Sequence, residues 1–243
     1  MKNKILALLA LLLVSNLATA QMPRNAVEAS QNQKAIAANE AQLERDLVEL
    51  AAFKVKMREF EHALASKNPR KVAAIKTELV NAMEREINQS ERKIAQDRQE
   101  LAQSQSEVAA SNRELRRSRI DRATIDNDAK DGRDVRDDRR DKRDDQRDAM
   151  DDRNDLEQQV LRTKRQKEIY NNIEAFTFSY TPNLQQKVRA NRALLDEFLS
   201  TMERDIAATK VEIAEDKREA VEDRRERRED KRERAEKRRN RNW

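Results

Sequence analysis

The chain has no cysteine, one glycine, three prolines and one histidine among its 243 residues. Without cysteine there are no disulfides, no thiol chemistry and no cysteine-ligated zinc. A lone glycine excludes the glycine-rich loops that cradle phosphates and dinucleotides, and no G-x-S-x-G elbow can be written. A lone histidine, His62, excludes a histidine-based metal cluster or triad within one chain. It sits in Phe60-Glu61-His62-Ala63 and reads as a helix-surface or seam residue. Aromatic residues are only 3% of the chain, too few for the stacking platforms that hold single-stranded nucleic acid. These absences assign no catalytic, cofactor-binding or metal-ligating residue, and the expectation is a protein that is not an enzyme.

What the chain has in quantity is charge. Charged residues are 41% of the sequence, 52 basic against 47 acidic. The interleaving makes it a polyampholyte, so its acids cancel most of the attraction a phosphate backbone would feel, which argues against nucleic acid. The richness in Ala, Glu, Lys, Arg and Leu is the composition of long helices and coiled coils.

Residues 1–20 carry the pattern of a secretory signal peptide. Lys2 and Lys4 precede an apolar run from Ile5 to Val14, and Ala18-Thr19-Ala20 is a small-x-small cleavage site. The run is shorter than the roughly 20 residues a membrane span needs. No cysteine follows the cleavage site, which excludes a lipoprotein anchor. The expected location is the periplasm or the outside of the cell, with no transmembrane span once the signal is removed.

The remainder reads as an internal duplication. Met83-Glu84-Arg85-Glu86-Ile87 recurs as Met202-Glu203-Arg204-Asp205-Ile206, and Ile94-Ala95-Gln96-Asp97-Arg98 recurs as Ile213-Ala214-Glu215-Asp216-Lys217. Ala52-Phe53 matches Ala175-Phe176, and each copy has a proline between its landmarks, Pro69 and Pro182. Val80, Ile87, Ile94, Leu101, Val108 and Leu115 fall seven apart, as do Ile36, Leu43, Leu50, Met57 and Leu64. Such spacing points to coiled-coil seams. The fold expected is all-α: an antiparallel long-helix bundle or coiled coil made of two duplicated helical hairpins, with highly charged extensions. The organisation expected is a first hairpin over 21–125, a turn or linker over 126–132, and a second hairpin over 133–243 whose apolar seam lies in 155–213. Helices are expected over about 28–66, 70–125, 133–180 and 184–240, with short connections making neighbours antiparallel. Ser90, Ser104 and Ser111 dilute the seam beside the second apolar column and lower its expected stability.

Two stretches are almost devoid of apolar residues. Residues 126–155 hold 13 acids and 9 bases, and residues 216–243 hold 9 acids and 13 bases. A turn at Pro182 would bring residue 216 opposite about residue 148, and 240 opposite about 124. Arg136, Arg140, Arg143 and Arg147 share one helix face, as do Asp134, Asp138, Asp141, Asp145 and Asp148. The expectation is an ionic zipper between the two stretches that extends the hairpin past its apolar seam. Asp97 and Asp216, at matching repeat positions, stand at the seam edge as candidate salt-bridge residues.

A calcium loop is not expected over Asn127–Asp138. With Gly132 at loop position six, Ala129 falls where an oxygen ligand is required, and position twelve is Asp138 rather than glutamate. The function expected is a non-enzymatic exported scaffold or chaperone-like protein-binding module, with a protein partner or self-association. The alternative is a binder of anionic envelope surfaces, lipid or polysaccharide, or of divalent cations through the charged end.

Overall fold

The computed structural model describes residues 24–124 and 131–240. The signal segment and residues 21–23, residues 125–130, where the turn or linker was expected to begin, and residues 241–243 lie outside the described residues. The fold is an all-α helical bundle of four long helices: α1 (Arg24–Ala65), α2 (Pro69–Thr124), α3 (Asp131–Ala175) and α4 (Gln185–Asn240). No strand occurs among the described residues, and no described helix is long and apolar enough to cross a membrane.

The α1–α2 turn is built by local chemistry. Lys67 takes the left-handed conformation at φ 53°. Its amide donates to the Leu64 carbonyl at 3.1 Å, and the Asn68 amide donates to the Ala63 carbonyl at 3.1 Å. These two bonds satisfy the last free carbonyls of α1 in the crossed pattern of a Schellman ending. Asn68 then caps α2, its Oδ1 accepting from the Lys71 amide at 3.1 Å. Pro69 occupies the first helical position, where its missing amide hydrogen costs nothing. His62 is exposed in the last turn of α1, and its carbonyl accepts from the Ser66 amide.

α3 ends at Ala175, about one turn short of the residue 180 expected from the sequence. Phe176 to Thr181 leave the helix ahead of Pro182, which opens a 3₁₀ turn, Pro182–Leu184. The sequence Phe-Thr-Phe-Ser-Tyr-Thr-Pro is rich in residues that lose rotamer freedom in a helix, and its last residue is pushed out of helix by the proline. Burial supplies the compensation. Phe178 stands edge-on to both Phe60 and Phe176, ring centres 4.8 Å apart in each case. Lys76 of α2 donates through Nζ to the Glu174 carbonyl at 2.7 Å and the Phe176 carbonyl at 2.8 Å, closing the end of α3. Partial burial pushes its ammonium below the usual lysine value.

The chain divides into two compact units. In one, residues 24–48 of α1 run antiparallel to the stretch of α4 from Ile206 onward. Asn39 Nδ2 donates to Asp216 Oδ2 at 3.2 Å, Lys217 pairs with Glu40 at 2.8 Å, and Ile206 and Ile213 are buried. In the other, residues 49–205 form an antiparallel four-helix bundle. Its core includes Phe53, Met57 and Phe60 from α1, Leu79, Met83 and Ile87 from α2, Ile169 and Ile173 from α3, and Leu195, Phe198 and Met202 from α4. Phe53 and Phe198 meet across it with ring centres 5.6 Å apart. The repeat-matched residues Met83 and Met202, and Ile87 and Ile206, are all buried.

The expected ionic zipper is not the pairing found for the aspartate-rich stretch. It lies in α3 and pairs with α2, through Ser104 and Asp152, Ser111 and Asp145, and Ser118 and Asp138. The partner choice follows from the α2–α3 connection: two helices joined by a short link align along their whole length, and the seven-residue column of α2 continues to Leu115. Each pairing also steps forward one heptad on α2 and back one on α3.

Candidate interaction site: a polar seam between α2 and α3

The apolar core of the larger unit ends in a layer of buried polar side chains. Gln166 is fully buried at its centre. Its Oε1 accepts from Ser90 Oγ at 3.1 Å, and its Nε2 donates to Thr201 Oγ1 at 3.1 Å and Asp205 Oδ2 at 3.2 Å. Arg162 Nε donates to Asp205 Oδ1 at 2.6 Å, and its Nη2 donates to Gln159 Oε1 at 2.5 Å. The Arg162 and Asp205 side chains are only 16% and 11% exposed. Burial raises the Asp205 carboxyl above its ordinary value, while Arg162, Lys93 and Gln166 oppose that rise. Three helices are thus joined through one amide, and a buried amide with all its partners in place specifies geometry strongly.

Beyond this layer α2 and α3 continue as a two-helix arm. Its seam has two alternating columns. One holds Ile94, Leu101, Val108 and Leu115 of α2, at the register of Thr163, Leu156, Ala149 and Lys142 of α3. The other holds Ser90, Asp97, Ser104, Ser111 and Ser118, at the register of Gln166, Gln159, Asp152, Asp145 and Asp138. Four of these five layers make a serine–partner contact, and the Asp97 layer completes the series. Asp97, a candidate from the repeat, is therefore a half-buried seam residue, while Asp216 accepts from Asn39 in the other unit.

The serines do more than dilute the seam. Ser104, Ser111 and Ser118 each reach across to an aspartate and also back to the carbonyl one turn earlier, Glu100 at 3.1 Å, Glu107 at 3.0 Å and Glu114 at 3.2 Å. The flank of the arm is acidic on both helices: Glu100, Glu107 and Glu114 on α2 share the register of Asp155, Asp148 and Asp141 on α3. Loss of solvent is the first cause that raises the Asp141, Asp148 and Asp152 carboxyls, and neighbouring carboxylates add to it, while the Ser104 hydroxyl opposes the rise at Asp152. Asp148 is pushed up to about 6. Its neighbours on α3 are Asp144, Asp145 and Asp152, with Arg147 opposing.

Sequence reasoning missed this seam, although a signal was there. Serines at 104, 111 and 118 and aspartates at 138, 145 and 152 repeat with the same seven-residue step, and such a match identifies facing columns. Among the described residues no group of three or more acidic, histidine or cysteine side chains has the geometry to hold a metal ion. No protein-family model, curated protein or solved structure matches the chain.

Proposed function

We propose that the protein is a non-enzymatic, exported helical scaffold, a chaperone-like module that holds a partner helix along its α2/α3 arm. One observation carries this reading. Ile94, Leu101 and Val108 are only half-buried in the two-helix arm, whereas Ile87, their heptad mate in the four-helix bundle, is buried. Two helices cover such a column incompletely, and a third apolar face would complete it. The alternating polar layers keep the arm marginal, so it can exchange its own contacts for those of a partner. The signal-like segment over residues 1–20 supports an exported location.

Photo-crosslinking in intact cells, with the reactive group at Val108 or Leu101, tests the reading. Discrete adducts at these positions and none at exposed Gln99 support it. Equal labelling at all three positions, or none, refutes it. Light scattering of the purified chain at low and high salt separates a second copy from a different protein.

A second reading is favoured by one feature of α4. Arg224, Arg228 and Arg232 are exposed and step by one helical turn, a basic stripe suited to anionic lipid or polysaccharide. Co-sedimentation with anionic vesicles that is lost on replacing these three arginines by glutamine identifies that binding.

A further inference from the structure

The two sides of the α2/α3 arm carry opposite chemistry. In each helix an apolar column alternates with a serine or aspartate column, so each column borders a different flank. The serine–aspartate column borders the acidic one: Glu100 and Glu107 of α2 are among the charges that act on Asp152. The opposite flank begins at the ion pair of Lys167 with Glu91, beside the end of the bundle. There the column of Ile94, Leu101 and Val108 is only half-buried, and Ala95, Ala102 and Ala109 beside it are exposed. α3 adds the half-buried Leu156, with Met150 and Val160 64% and 38% exposed. The result is a shallow apolar groove between two helices, with small side chains along one wall, where a third helix can approach closely.

The rim of that groove is basic. Arg98 stands beside Ile94 and Leu101, and Arg116, Arg139 and Arg143 stand at the far end; all four are exposed. None of them forms an ion pair among the described residues, and Arg143 donates only to the Arg139 carbonyl, at 3.2 Å. The two acids on this side, Glu91 and Glu157, are already held by Lys167 and Arg153. By contrast Arg140 and Arg147, which lean toward the acidic flank, are held by Asp137 and Asp144. We propose that this groove docks an acidic amphipathic helix of a partner protein, its apolar stripe over Ile94, Leu101 and Val108 and its carboxylates against Arg98, Arg116, Arg139 and Arg143. The proposal rests on the reading that the arm holds a partner helix, and it adds that partner's chemistry.

Two other occupants fit less well. A flat anionic membrane meets projecting side chains, whereas this apolar column is recessed between two helices, and no aromatic residue lies in residues 90–165 to enter an interface. The arm of a second copy offers the wrong surfaces. Its own groove has the same arginine rim, and its acidic flank borders the serine–aspartate column instead of an apolar stripe. A helix with aliphatic side chains in one stripe and Asp or Glu beside it meets both requirements. Each carboxylate set against an exposed arginine contributes little alone, so about four such contacts give a preference of roughly tenfold over a basic helix, while the apolar stripe carries most of the affinity.

The test uses the full chain, which has no cysteine of its own, with an environment-sensitive fluorophore on one of two exposed positions. Ala102→Cys places it in the groove; Gln103→Cys places it toward the acidic flank, where Gln103 donates to Glu107. Two synthetic peptides of about three heptads carry the same leucine and alanine stripe, one flanked by glutamate and the other by lysine. The glutamate peptide is expected to saturate the Ala102 label and leave the Gln103 label unchanged. At the Ala102 label it should bind roughly tenfold tighter than the lysine peptide, and about 1 M salt should close most of that gap. The variant Arg98→Gln/Arg139→Gln/Arg143→Gln changes only exposed side chains and should bring the two peptides within about threefold. A lysine peptide that binds the Ala102 label as tightly, or an arginine variant that keeps the full preference, overturns the proposal and leaves the arm standing as a holder of helices. No saturable response to either peptide overturns both. Phosphatidylglycerol vesicles that shift the Ala102 label when the glutamate peptide does not, or a shift with protein concentration alone, overturn it in favour of a lipid surface or a second copy.

Discussion

Replacing Arg162 by methionine isolates the worth of the buried layer that joins the bundle to its arm. The substitution keeps the aliphatic bulk and removes the cation 2.6 Å from Asp205. Removing one member of a buried pair costs about 3–5 kcal/mol, because the other charge is left in a poorly solvated site. Here the cost has a ceiling, since Asp205 can take up a proton. Protonating a carboxyl of ordinary value about 4 at pH 7 costs about 4 kcal/mol, and that sets the ceiling. A pH-independent remainder of about 1 kcal/mol comes from the lost bond to Gln159. The expected loss is therefore about 3–5 kcal/mol near neutrality, shrinking by roughly 1.4 kcal/mol for each pH unit downward. The sign follows from Asp205 having a raised value in the folded variant: its stabilising contribution is complete below the ordinary carboxylate range and is lost as pH rises. Urea unfolding followed by circular dichroism at pH 5 and pH 7 reads both numbers. The double variant Arg162→Met/Asp205→Leu should regain all but about 1 kcal/mol, since an apolar pair of similar volume often replaces a buried ion pair without penalty. Equal losses at the two pH values, or a double variant no better than the single, would refute the reasoning.

Three further outcomes are expected. Phe198→Ala empties a fully buried site packed against Phe53 and should cost about 3–5 kcal/mol in thermal or urea unfolding. Lys67→Gly relieves a left-handed residue that carries a side chain and should stabilise the bundle by roughly 0.5–1 kcal/mol, read as a raised unfolding midpoint with an unchanged denaturant slope. Lys76→Met removes the donor to two α3 carbonyls and should cost about 1–3 kcal/mol, with amide exchange accelerated at the end of α3 before the rest of the bundle.

The helices and their breaks were readable because two periodic signals coincide with two punctuation signals. The column from Val80 to Leu115 marks one face of α2, and Pro69 and Pro182 mark where chains turn. The early end of α3 was not readable, because Phe176 and Tyr180 continue the helical spacing of Ile169 and Ile173. Only tertiary contact, Phe178 on Phe60 and Lys76 on the freed carbonyls, makes the extended path better. The pairing of the aspartate-rich stretch was misjudged because charge complementarity is nearly symmetric in a polyampholyte. Arg and Asp, or Arg and Glu, match almost any neighbour, and exposed ion pairs are worth only about 0–1 kcal/mol. The decisive term was the serine column, which the eye reads as a defect in an apolar stripe rather than as a set of donors.

A heptad repeat alone leaves the arm's alignment undecided. Sliding α3 by one full heptad along α2 would still set serine opposite aspartate and apolar opposite apolar over most of the arm. What distinguishes the observed alignment is the one layer that does not repeat. Gln166 must meet Ser90, Thr201 and Asp205 together. A slip one way would set Gln166 against Met83, in the apolar core, and the other way against Asp97. A buried amide without its partners costs about 1–3 kcal/mol, comparable to the gain from any single layer beyond it. The polar junction therefore sets the register, and the serine–aspartate layers inherit it. Gln166→Leu separates these roles: the bundle should keep or gain stability from the added apolar contact, while the distance between spin labels placed on α2 and α3 of the arm should split into two populations one heptad apart. A single unchanged distance in that variant would show that the arm finds its alignment without the junction.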